Sequence, residues 1–403
     1  MQLNFNFRNA AILAAFLFFA YLFWMLWGPN GYHLLPNVSI DLKDVISYSI
    51  LAAQRGGIAV RKIHLEKTRL NLQTKGKTKE GAKEFVTRAD LLSNALILDT
   101  LTRFPGIKVV SEEKASVDAS ELDSYRQSSY QLWNDYKNIL DELPSQKVRL
   151  SDVTVWVDPL DATQEYTEGL VQYVTTMVCI AVKGEPVFGV IYRPFEDETG
   201  SFYVLNRFIV YSKMCLIECN NVKLDAHGCS ASLCGLKGHG VFDSQSSKHL
   251  AHLDPLSSTN AVLDSDIPNI AIVSRSHAGT VKAVVSRAFA PPRAVTQNEE
   301  PRTPSTNWTV ESAGGSGYKC LRVLNGTAKL YVHTTAIKKW DICAGNAIIR
   351  AAGGEMTTLD GDNIRYNTGD DVKNTKGLLV TRNRKHFSYL NKLTGLLKQQ
   401  TQS

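Results

Sequence analysis

The sequence predicts an α/β or α+β fold that is preceded by one membrane-spanning helix. Apolar runs of strand length, such as residues 153–157, are mixed along the chain with segments of helical spacing, such as residues 341–352. Residues 10–27 are apolar and uncharged, and 18 residues are just enough to cross a bilayer. The remainder of the 403 residues suffices for one large or two moderate domains.

The flanks of the N-terminal apolar run favour an uncleaved signal anchor. The run ends in bulky residues that include Trp24 and Trp27, whereas a cleavage site needs small residues, and both indole rings suit a membrane interface. Arg8 precedes the run, and no Lys or Arg follows it until Lys43, so the positive-inside rule places the N-terminus in the cytosol. We expect a single-pass type II protein whose main part is lumenal or extracellular. A cleaved signal peptide is the alternative.

Sequons and cysteines fit a secretory location. Three N-glycosylation sequons follow the anchor, with Asn37, Asn307 and Asn325 as acceptor residues. The seven cysteines show no zinc-ligand spacing, and their odd number leaves at least one thiol unpaired within the chain. Four of them lie within residues 215–234, where an oxidising lumen would permit a local disulfide.

The charge of the chain sets limits on its partners. The net charge of +6 is a mild excess, and we expect no nucleic-acid partner. Part of the positive charge is concentrated in residues 75–88, and residues 75–83 of this stretch are predicted to form a loop. Two interpretations stay open, a solvated mobile loop and a basic flap over an anionic substrate.

Local patterns predict the order of the elements. Apolar residues that recur every three to four positions indicate helices, and short apolar runs bounded by turn residues indicate strands. The predicted helices are 41–54, closed by Gly56 and Gly57, then 89–101 and 341–352; the predicted strands are 107–110, 153–157, 173–182, 187–192, 271–274 and 356–359. Residues 206–268 are rich in Ser, Asn, His and Gly and are predicted to be a weakly ordered insert.

The most informative segment is Trp-Val-Asp-Pro-Leu-Asp-Ala-Thr at residues 156–163. Pro159 fixes its own φ and has no N–H, so we predict a turn that aims Asp158 and Asp161 at one point. Oxygen ligands that converge at a strand end suit Mg²⁺. Thr163 would begin the next helix, where free N–H groups favour an anion. The two interpretations are a metal-assisted phosphate site and a plain surface turn rich in Asp and Pro.

Further carboxylates lie at the ends of predicted elements. Glu112 follows the strand 107–110, and Asp90 and Asp341 begin predicted helices. Each alone is a helix cap or a surface acid. Together they can form a cluster, because ligand sites in layered α/β folds gather at element ends. The glycine-rich turn at residues 313–319 either lets a ligand approach the backbone or is a plain connector.

Three separated motifs then resemble one family. Glu112-Glu113, the segment 158–163 and Trp-Asp-Ile-Cys-Ala-Gly at residues 340–345 resemble, in order and spacing, the signature motifs of the inositol monophosphatase superfamily. The resemblance covers about residues 41–205 and 268–390. It implies a layered αβαβα sandwich of the sugar-phosphatase type and a phosphatase that uses two to three Mg²⁺ ions and is inhibited by Li⁺.

The resemblance also implies roles for individual residues. The implied metal ligands are Glu112, Asp158, the Leu160 carbonyl, Asp161 and Asp341. The implied catalytic residues are Asp90, Thr163 and Glu112, with Thr163, helped by Asp90, positioning or activating the attacking water. The implied substrate contacts are Ala162, Thr163, Ser274, His277, Ser316 and Lys319.

Ala162 narrows the implied function. Most superfamily members carry Gly or Ser there, and with Ala this chain resembles the anchored lumenal branch that acts on nucleotides. The resemblance therefore implies an enzyme of the Golgi membrane that hydrolyses the 3′-phosphate of adenosine 3′,5′-bisphosphate, a by-product of sulfotransferases, to AMP and phosphate. Inositol monophosphatase activity is the alternative. Remote alternatives are a type II glycosyltransferase, whose D-x-D motif occurs only at residues 264–266, and a non-catalytic binding module.

The predicted domain organisation combines the anchor with one catalytic domain. It comprises a cytosolic tail (1–9), the anchor (10–27), a stem (28–40), a lumenal phosphatase domain (41–390) with halves 41–205 and 269–390 around the insert 206–268, and a C-terminal tail (391–403). The sequence leaves open whether the chain forms a homodimer.

Overall fold

In the computed structural model, helices and two large β-sheets alternate in layers. The residues that it describes are 7–27, 38–66, 73–77, 83–126, 145–195, 232–236, 240–243, 267–275, 281–289, 308–382 and 385–401. Two helices, a six-stranded sheet, two helices, a five-stranded sheet and two helices follow one another. This is the αβαβα sandwich that was expected.

The elements have the following bounds. The described helices are α1 (Phe7–Trp27), α2 (Leu42–Leu65), α3 (Arg88–Leu101), α4 (Ala119–Tyr125), α5 (Thr163–Thr167), α6 (Val281–Ala288), α7 (Ser316–Leu324), α8 (Lys339–Ala351) and α9 (His386–Thr401). The described strands are β1 (Ser39–Asp41), β2 (Gln73–Lys77), β3 (Lys83–Val86), β4 (Lys108–Ser111), β5 (Lys147–Arg149), β6 (Val153–Asp161), β7 (Thr175–Val182), β8 (Glu185–Tyr192), β9 (Ser232–Leu236), β10 (Gly240–Asp243), β11 (Ile270–Ser274), β12 (Thr309–Ala313), β13 (Leu330–His333), β14 (Ile337–Lys338), β15 (Glu355–Thr357), β16 (Lys373–Asn374) and β17 (Leu378–Thr381).

Helices α2 and α3 form the first layer and cover one face of the six-stranded sheet. Asp41 caps α2, because its side chain accepts a hydrogen bond from the Lys43 N–H at 3.1 Å. The predicted helix end at Gly56 and Gly57 is wrong, since α2 continues to Leu65. A Cβ at Gly56 would lie 2.5 Å from the Ser93 hydroxyl, so this glycine serves close helix packing inside α2.

The six-stranded sheet has the order β10-β9-β8-β7-β6-β4. β4 is parallel to β6, and the other neighbours are antiparallel. The predicted strands 173–182 and 187–192 correspond to β7 and β8, which form a hairpin. Strands β9 and β10 come from the predicted insert 206–268, so part of that segment extends the sheet.

Strand β6 does not turn at Pro159, contrary to the prediction, but continues through it to Asp161. Asp158 pairs with Met177 and Asp161 pairs with Thr175, so two residues of β6 face the single residue Thr176. This arrangement is a β-bulge. A bulge tolerates proline, which has no N–H, because the ladder does not need a donor at that position.

The five-stranded sheet has the order β12-β11-β13-β17-β15. Helix α8 lies between the sheets and contacts β6, β7 and β8 of the first and β15 of the second, with α7 beside it. Helices α6 and α9 pack together and form the outer layer. The tail predicted to begin after residue 390 is partly helical, because α9 crosses this boundary and Leu393 is fully buried.

The described N-terminal segment is the helix α1. Its side chains are described for residues 11–24 and are almost all exposed. Among the described residues, none of the helices has the length and hydropathy that crossing a membrane requires. The anchor at residues 10–27 stays a prediction. Of the segment 75–83, predicted as a loop, residues 75–77 lie in β2 and residue 83 begins β3, and residues 78–82 lie outside the described residues.

A disulfide joins Cys179 of β7 to Cys343 of α8, with 5.7 Å between the Cα atoms. This pair, which is separated by 164 positions, was not predicted from the sequence. It ties the strand beside β6 to the helix that begins next to Asp341. Cys320 is a buried free thiol. Of the four cysteines for which a local disulfide was considered possible, Cys215, Cys219 and Cys229 lie outside the described residues, and the side chain of Cys234 is not described.

Candidate active site

Three carboxylates from three elements converge at one edge of the six-stranded sheet. Glu112 directly follows β4, Asp158 lies in β6, and Asp341 lies in the first turn of α8. One oxygen of each lies within 4.8 Å of the others. Asp158 is buried and the other two are half-buried. Three hard oxygen donors at this spacing fit a small divalent cation such as Mg²⁺.

The bulge in β6 explains how two carboxylates three positions apart serve one site. Side chains alternate between the faces of a regular strand, so Asp158 and Asp161 would point to opposite faces. Their partners, Met177 and Thr175, are two positions apart and therefore share a face. The extra residue in the bulge brings both Asp side chains to the face that is covered by α7 and α8.

Asp161 is held by the start of α7. Its carboxylate accepts hydrogen bonds from the Ser316 N–H at 3.0 Å, the Gly317 N–H at 2.8 Å and the Thr175 hydroxyl at 3.0 Å. Its oxygens are outside the group of three that lie within 4.8 Å of each other. Asp161 nevertheless contributes to the same electrostatic field, because its charge raises the pKa of both Asp158 and Asp341.

Burial and mutual repulsion make this cluster a site for positive charge. Burial raises the pKa of Asp158 well above its usual range, and the negative charges of Glu112 and Asp161 raise it further. The pKa of Asp341 is raised well above its usual range by the same causes in the same order. A bound cation would favour the ionised form of each carboxylate, so this set of side chains fits a metal ion.

Thr163 and Asp90 form a hydrogen-bonded pair beside the cluster. The Thr163 hydroxyl donates to Asp90 Oδ1 at 2.9 Å, and it lies 3.1 Å from the Leu160 carbonyl. Asp90 is fully buried at the start of α3, where Thr87 donates to its Oδ2 through both its N–H, at 2.7 Å, and its hydroxyl. Burial raises the pKa of Asp90 to about 7, although the bonds from Thr87 oppose this. Such a group can hold or release a proton near neutral pH.

Ala162 and Thr163 connect the cluster to α5. Ala162 has a φ of 71°, in the left-handed region that few non-glycine residues adopt, and α5 begins at Thr163 as predicted. A Cβ at Gly315 would lie 3.5 Å from the Ala162 Cβ and 3.0 Å from Asp161 Oδ2. The glycine-rich turn can therefore approach the cluster closely because Gly315 has no side chain.

A cavity of about 470 Å³ opens onto these groups. The Glu112–Asp158–Asp341 cluster, Leu160, Asp161, Ala162 and Thr163 line one part of it. Its other lining residues include Ser274, Ser316, Lys319, Tyr331, His333, Lys338 and Trp340. The Lys338 ammonium lies 5.0 Å from the Trp340 ring centroid, so an aromatic wall and a positive charge adjoin the acidic cluster.

Comparison with known proteins decides the family. Residues 41–398 match the inositol monophosphatase family. The chain belongs to the inositol monophosphatase family. Its reaction class is that of a phosphoric monoester hydrolase.

Curated relatives of the family are similar over most of the chain. The Golgi-resident adenosine 3′,5′-bisphosphate 3′-phosphatase of Rattus norvegicus is 36% identical over 370 residues, which are 89% of this chain and 83% of that protein. The protein of the same name from Homo sapiens is 36% identical over 371 residues, 89% of this chain and 82% of that protein. Inositol monophosphatase 3 of Xenopus tropicalis is 36% identical over 367 residues, 89% and 83% respectively.

Solved structures of the family share the fold. The extragenic suppressor protein suhB of Bartonella henselae has a TM-score of 0.54 at 16% identity and covers 87% of this chain and 98% of its own. The inositol monophosphatase of Thermotoga maritima has a TM-score of 0.53 at 17% identity, with coverages of 88% and 99%. These structures support the αβαβα sandwich.

The structure brings most of the predicted inositol monophosphatase site together. Glu112, Asp158, Asp341, Asp161 and Thr163 line one cavity, and Asp90 lies behind Thr163. The predicted substrate contacts Ala162, Ser274, Ser316 and Lys319 also line it. The Lys319 ammonium is buried and donates to the Ala313 and Gly315 carbonyls. His277 lies outside the described residues.

Two pocket features escaped the sequence analysis. His333 ends β13 and lies with its Nδ1 3.1 Å from the Ser274 hydroxyl. Glu165 lies beside Gly314, and its Oε1 accepts a hydrogen bond from the Arg275 Nε at 3.1 Å. The signal for His333 was present, because it is the polar residue that follows the apolar run 330–332. Of the predicted glycosylation acceptors, Asn325 is exposed at the end of α7, and Asn37 and Asn307 lie outside the described residues.

Proposed function

We propose that this chain is a Mg²⁺-dependent phosphatase that hydrolyses the 3′-phosphate of adenosine 3′,5′-bisphosphate, giving AMP and phosphate. The observation that carries the proposal is the hydrogen bond between Thr163 and Asp90 in the same cavity as the Glu112–Asp158–Asp341 cluster. A carboxylate cluster alone could serve as a structural ion site. The adjacent hydroxyl–carboxylate pair adds a group that can orient a water and take up its proton.

The acidic cluster and the Leu160 carbonyl would hold the metal. Mg²⁺ bound there would lower the pKa of a water molecule and neutralise charge on the phosphate. Glu112, Asp158 and Asp341 supply three carboxylates, and Asp161 adds a fourth negative charge from the start of α7. The hydrogen bonds from α7 keep Asp161 oriented on the metal side of the bulge.

Thr163 and Asp90 would handle the water. With its proton directed to Asp90 Oδ1, the Thr163 oxygen presents its lone pairs to a water in the cavity. Asp90, whose pKa burial raises to about 7, can accept the proton that the water loses. Both Thr87 bonds fix the Asp90 carboxylate, so the pair is already oriented before substrate binds.

The remaining cavity wall suits a nucleotide. Ser274 and Ser316 line it with hydroxyl groups, and the Trp340 ring lies there beside the Lys338 ammonium. A volume of about 470 Å³ is within the range for small-molecule sites. The names of the relatives from Rattus norvegicus and Homo sapiens favour adenosine 3′,5′-bisphosphate as the substrate.

An inositol phosphate is the second candidate substrate. The observation that favours it is the equal identity, 36%, to the Xenopus tropicalis protein named inositol monophosphatase 3. Both substrates are phosphoric monoesters and would use the same Thr163–Asp90 pair. The two substrates differ in the chemical group that would contact the cavity wall beyond the acidic cluster.

We further propose a Golgi location with the catalytic part in the lumen. The apolar run 10–27 as a type II anchor and the names of the relatives support it. The Cys179–Cys343 disulfide also supports it, because disulfides persist in oxidising compartments. Protease protection of the folded part in sealed vesicles, lost on detergent addition, would be the expected result; digestion without detergent would contradict the topology.

Phosphate release by the full chain in detergent tests the proposed activity. Adenosine 3′,5′-bisphosphate and inositol 1-phosphate are compared across a Mg²⁺ titration, with and without Li⁺. We expect release from the nucleotide, dependence on Mg²⁺ and inhibition by Li⁺. Asp341→Asn should abolish release, whereas Asp360→Asn, which changes an exposed Asp paired with Lys376, should not. Faster release from inositol 1-phosphate would favour the second candidate.

A further inference from the structure

The β-bulge that aligns the acidic site depends on one carbonyl group. Pro159 and Leu160 together face Thr176, so the ladder between β6 and β7 is interrupted at this point. Pro159 is buried, and a buried carbonyl without a hydrogen-bond partner is unfavourable. The geometry of the bulge therefore depends on what satisfies the Pro159 oxygen.

Two hydroxyls from different layers donate to that oxygen. Ser93 of α3 donates to it at 2.8 Å, and Thr176 of β7 donates at 3.1 Å. Both side chains are fully buried. A carbonyl oxygen accepts two hydrogen bonds, so Ser93 and Thr176 fill its capacity and fix the direction of the 159–160 peptide.

The packing of α2 against α3 leaves space for the Ser93 hydroxyl. A Cβ at Gly56 of α2 would lie 2.5 Å from the Ser93 Oγ, so the absence of a side chain leaves room for it. Thr176 points to the same side of the sheet, because its neighbours Thr175 and Met177 face the α7 and α8 side with the Asp residues. The two donors thus hold the bulge from the face opposite the acidic site.

We propose that Ser93 and Thr176 are positioning residues for the metal site. They touch neither substrate nor metal, and they act by holding the bulge in the form that places Asp158 and Asp161 on one face. Without them, β6 relaxes toward regular pairing, in which these carboxylates point to opposite faces. The inference rests on the proposed function in so far as the cluster binds Mg²⁺.

The test is Mg²⁺ affinity without substrate, measured by calorimetry on the full chain. Ser93→Ala, Thr176→Val and the double variant remove the donors. We expect the double variant to raise the Mg²⁺ dissociation constant about tenfold, the effect typical of losing partners that orient metal ligands. Each single variant should give a smaller rise. Thr176→Ser, which keeps the hydroxyl, should bind Mg²⁺ with nearly the affinity of the unmodified protein.

Thr154→Val is the matched control. Thr154 lies in β6 and is buried, but its hydroxyl pairs with that of Thr368, away from the bulge. Thermal unfolding of every variant separates a loss of stability from a loss of affinity. Equal Mg²⁺ affinity in Thr176→Val, Ser93→Ala and Thr154→Val would overturn the inference. A double variant that fails to fold leaves the decision to the two single variants.

The outcome is independent of the substrate. If the unmodified chain binds Mg²⁺ but releases no phosphate from adenosine 3′,5′-bisphosphate, the proposed function fails while the affinities of the variants still decide the positioning role. If the chain hydrolyses the nucleotide and the variants bind Mg²⁺ as it does, the positioning role fails alone.

Discussion

The Cys179–Cys343 disulfide should account for a large part of the stability of the fold. It closes a loop with a sequence separation of 164, and both half-cystines are buried where β7 meets α8. The chain-entropy relation gives about 5 kcal/mol at 25 °C for a loop of that length, and measured losses on removing such bonds run at about 2–5 kcal/mol. We therefore expect reduction to lower the free energy of unfolding by several kcal/mol.

Urea unfolding with and without a thiol reductant measures this effect. Cys179→Ala with Cys343→Ala should lower the midpoint, and reductant should then lower it no further. Cys320→Ala changes the buried free thiol and is the control, in which the response to reductant should persist. Coincident unfolding curves of the unmodified chain with and without reductant would contradict a stabilising role for this disulfide, as would a peptide map that lacks the Cys179–Cys343 link.

Three further perturbations follow from the structure. Asp90→Asn and Thr163→Ala should each lower kcat by about 10²–10⁴-fold, the usual contribution of a general base, with Thr163→Ser retaining most activity; a loss under fivefold in both would exclude the proton-handling pair. His386 is buried between the hydroxyls of Thr357 and Thr381, and burial lowers its pKa to about 4. The folded-state pKa of His386 lies below its unfolded value of 6.5. The contribution of the neutral, buried His386 to the unfolding free energy is therefore complete above pH 6.5 and is lost as the pH falls toward 4. The unfolding free energy should therefore fall by about 3 kcal/mol more between pH 7 and pH 4 in the unmodified chain than in His386→Gln, and parallel pH profiles would contradict this. Gly56→Ala should cost about 1–3 kcal/mol by overpacking against Ser93, measured by urea unfolding, and unchanged stability would show that α2 and α3 can separate.

The layered sandwich could be predicted from the sequence, and so could the proximity of Glu112, Asp158 and Asp341. Each carboxylate alone resembles a helix cap or a surface acid, and the motifs shared with the family identified them as a set. The way in which β6 presents them could not be predicted. Pro159 predicts a turn, and only the pairing with β7 reveals a bulge, since pairing is a non-local property.

Long-range packing accounts for the other differences. Gly56 and Gly57 resemble a helix end by local propensity, yet tertiary contacts with Ser93 and Tyr192 favour their place inside α2. The Cys179–Cys343 pairing could not be read from spacing, because connectivity is not encoded in sequence separation. Strands β9 and β10 are short, and the pairing of β9 with β8 and of β10 with β9 gives them a place that their composition does not suggest.

We propose that this acidic cavity hydrolyses the 3′-phosphate of a nucleotide with the help of Mg²⁺. The most direct measurement is phosphate release from adenosine 3′,5′-bisphosphate by the full chain, followed together with AMP formation and with Asp341→Asn as the blank. We expect equal amounts of AMP and phosphate, which require Mg²⁺ and disappear in the variant. No release at any Mg²⁺ concentration, or release that survives Asp341→Asn, would contradict it.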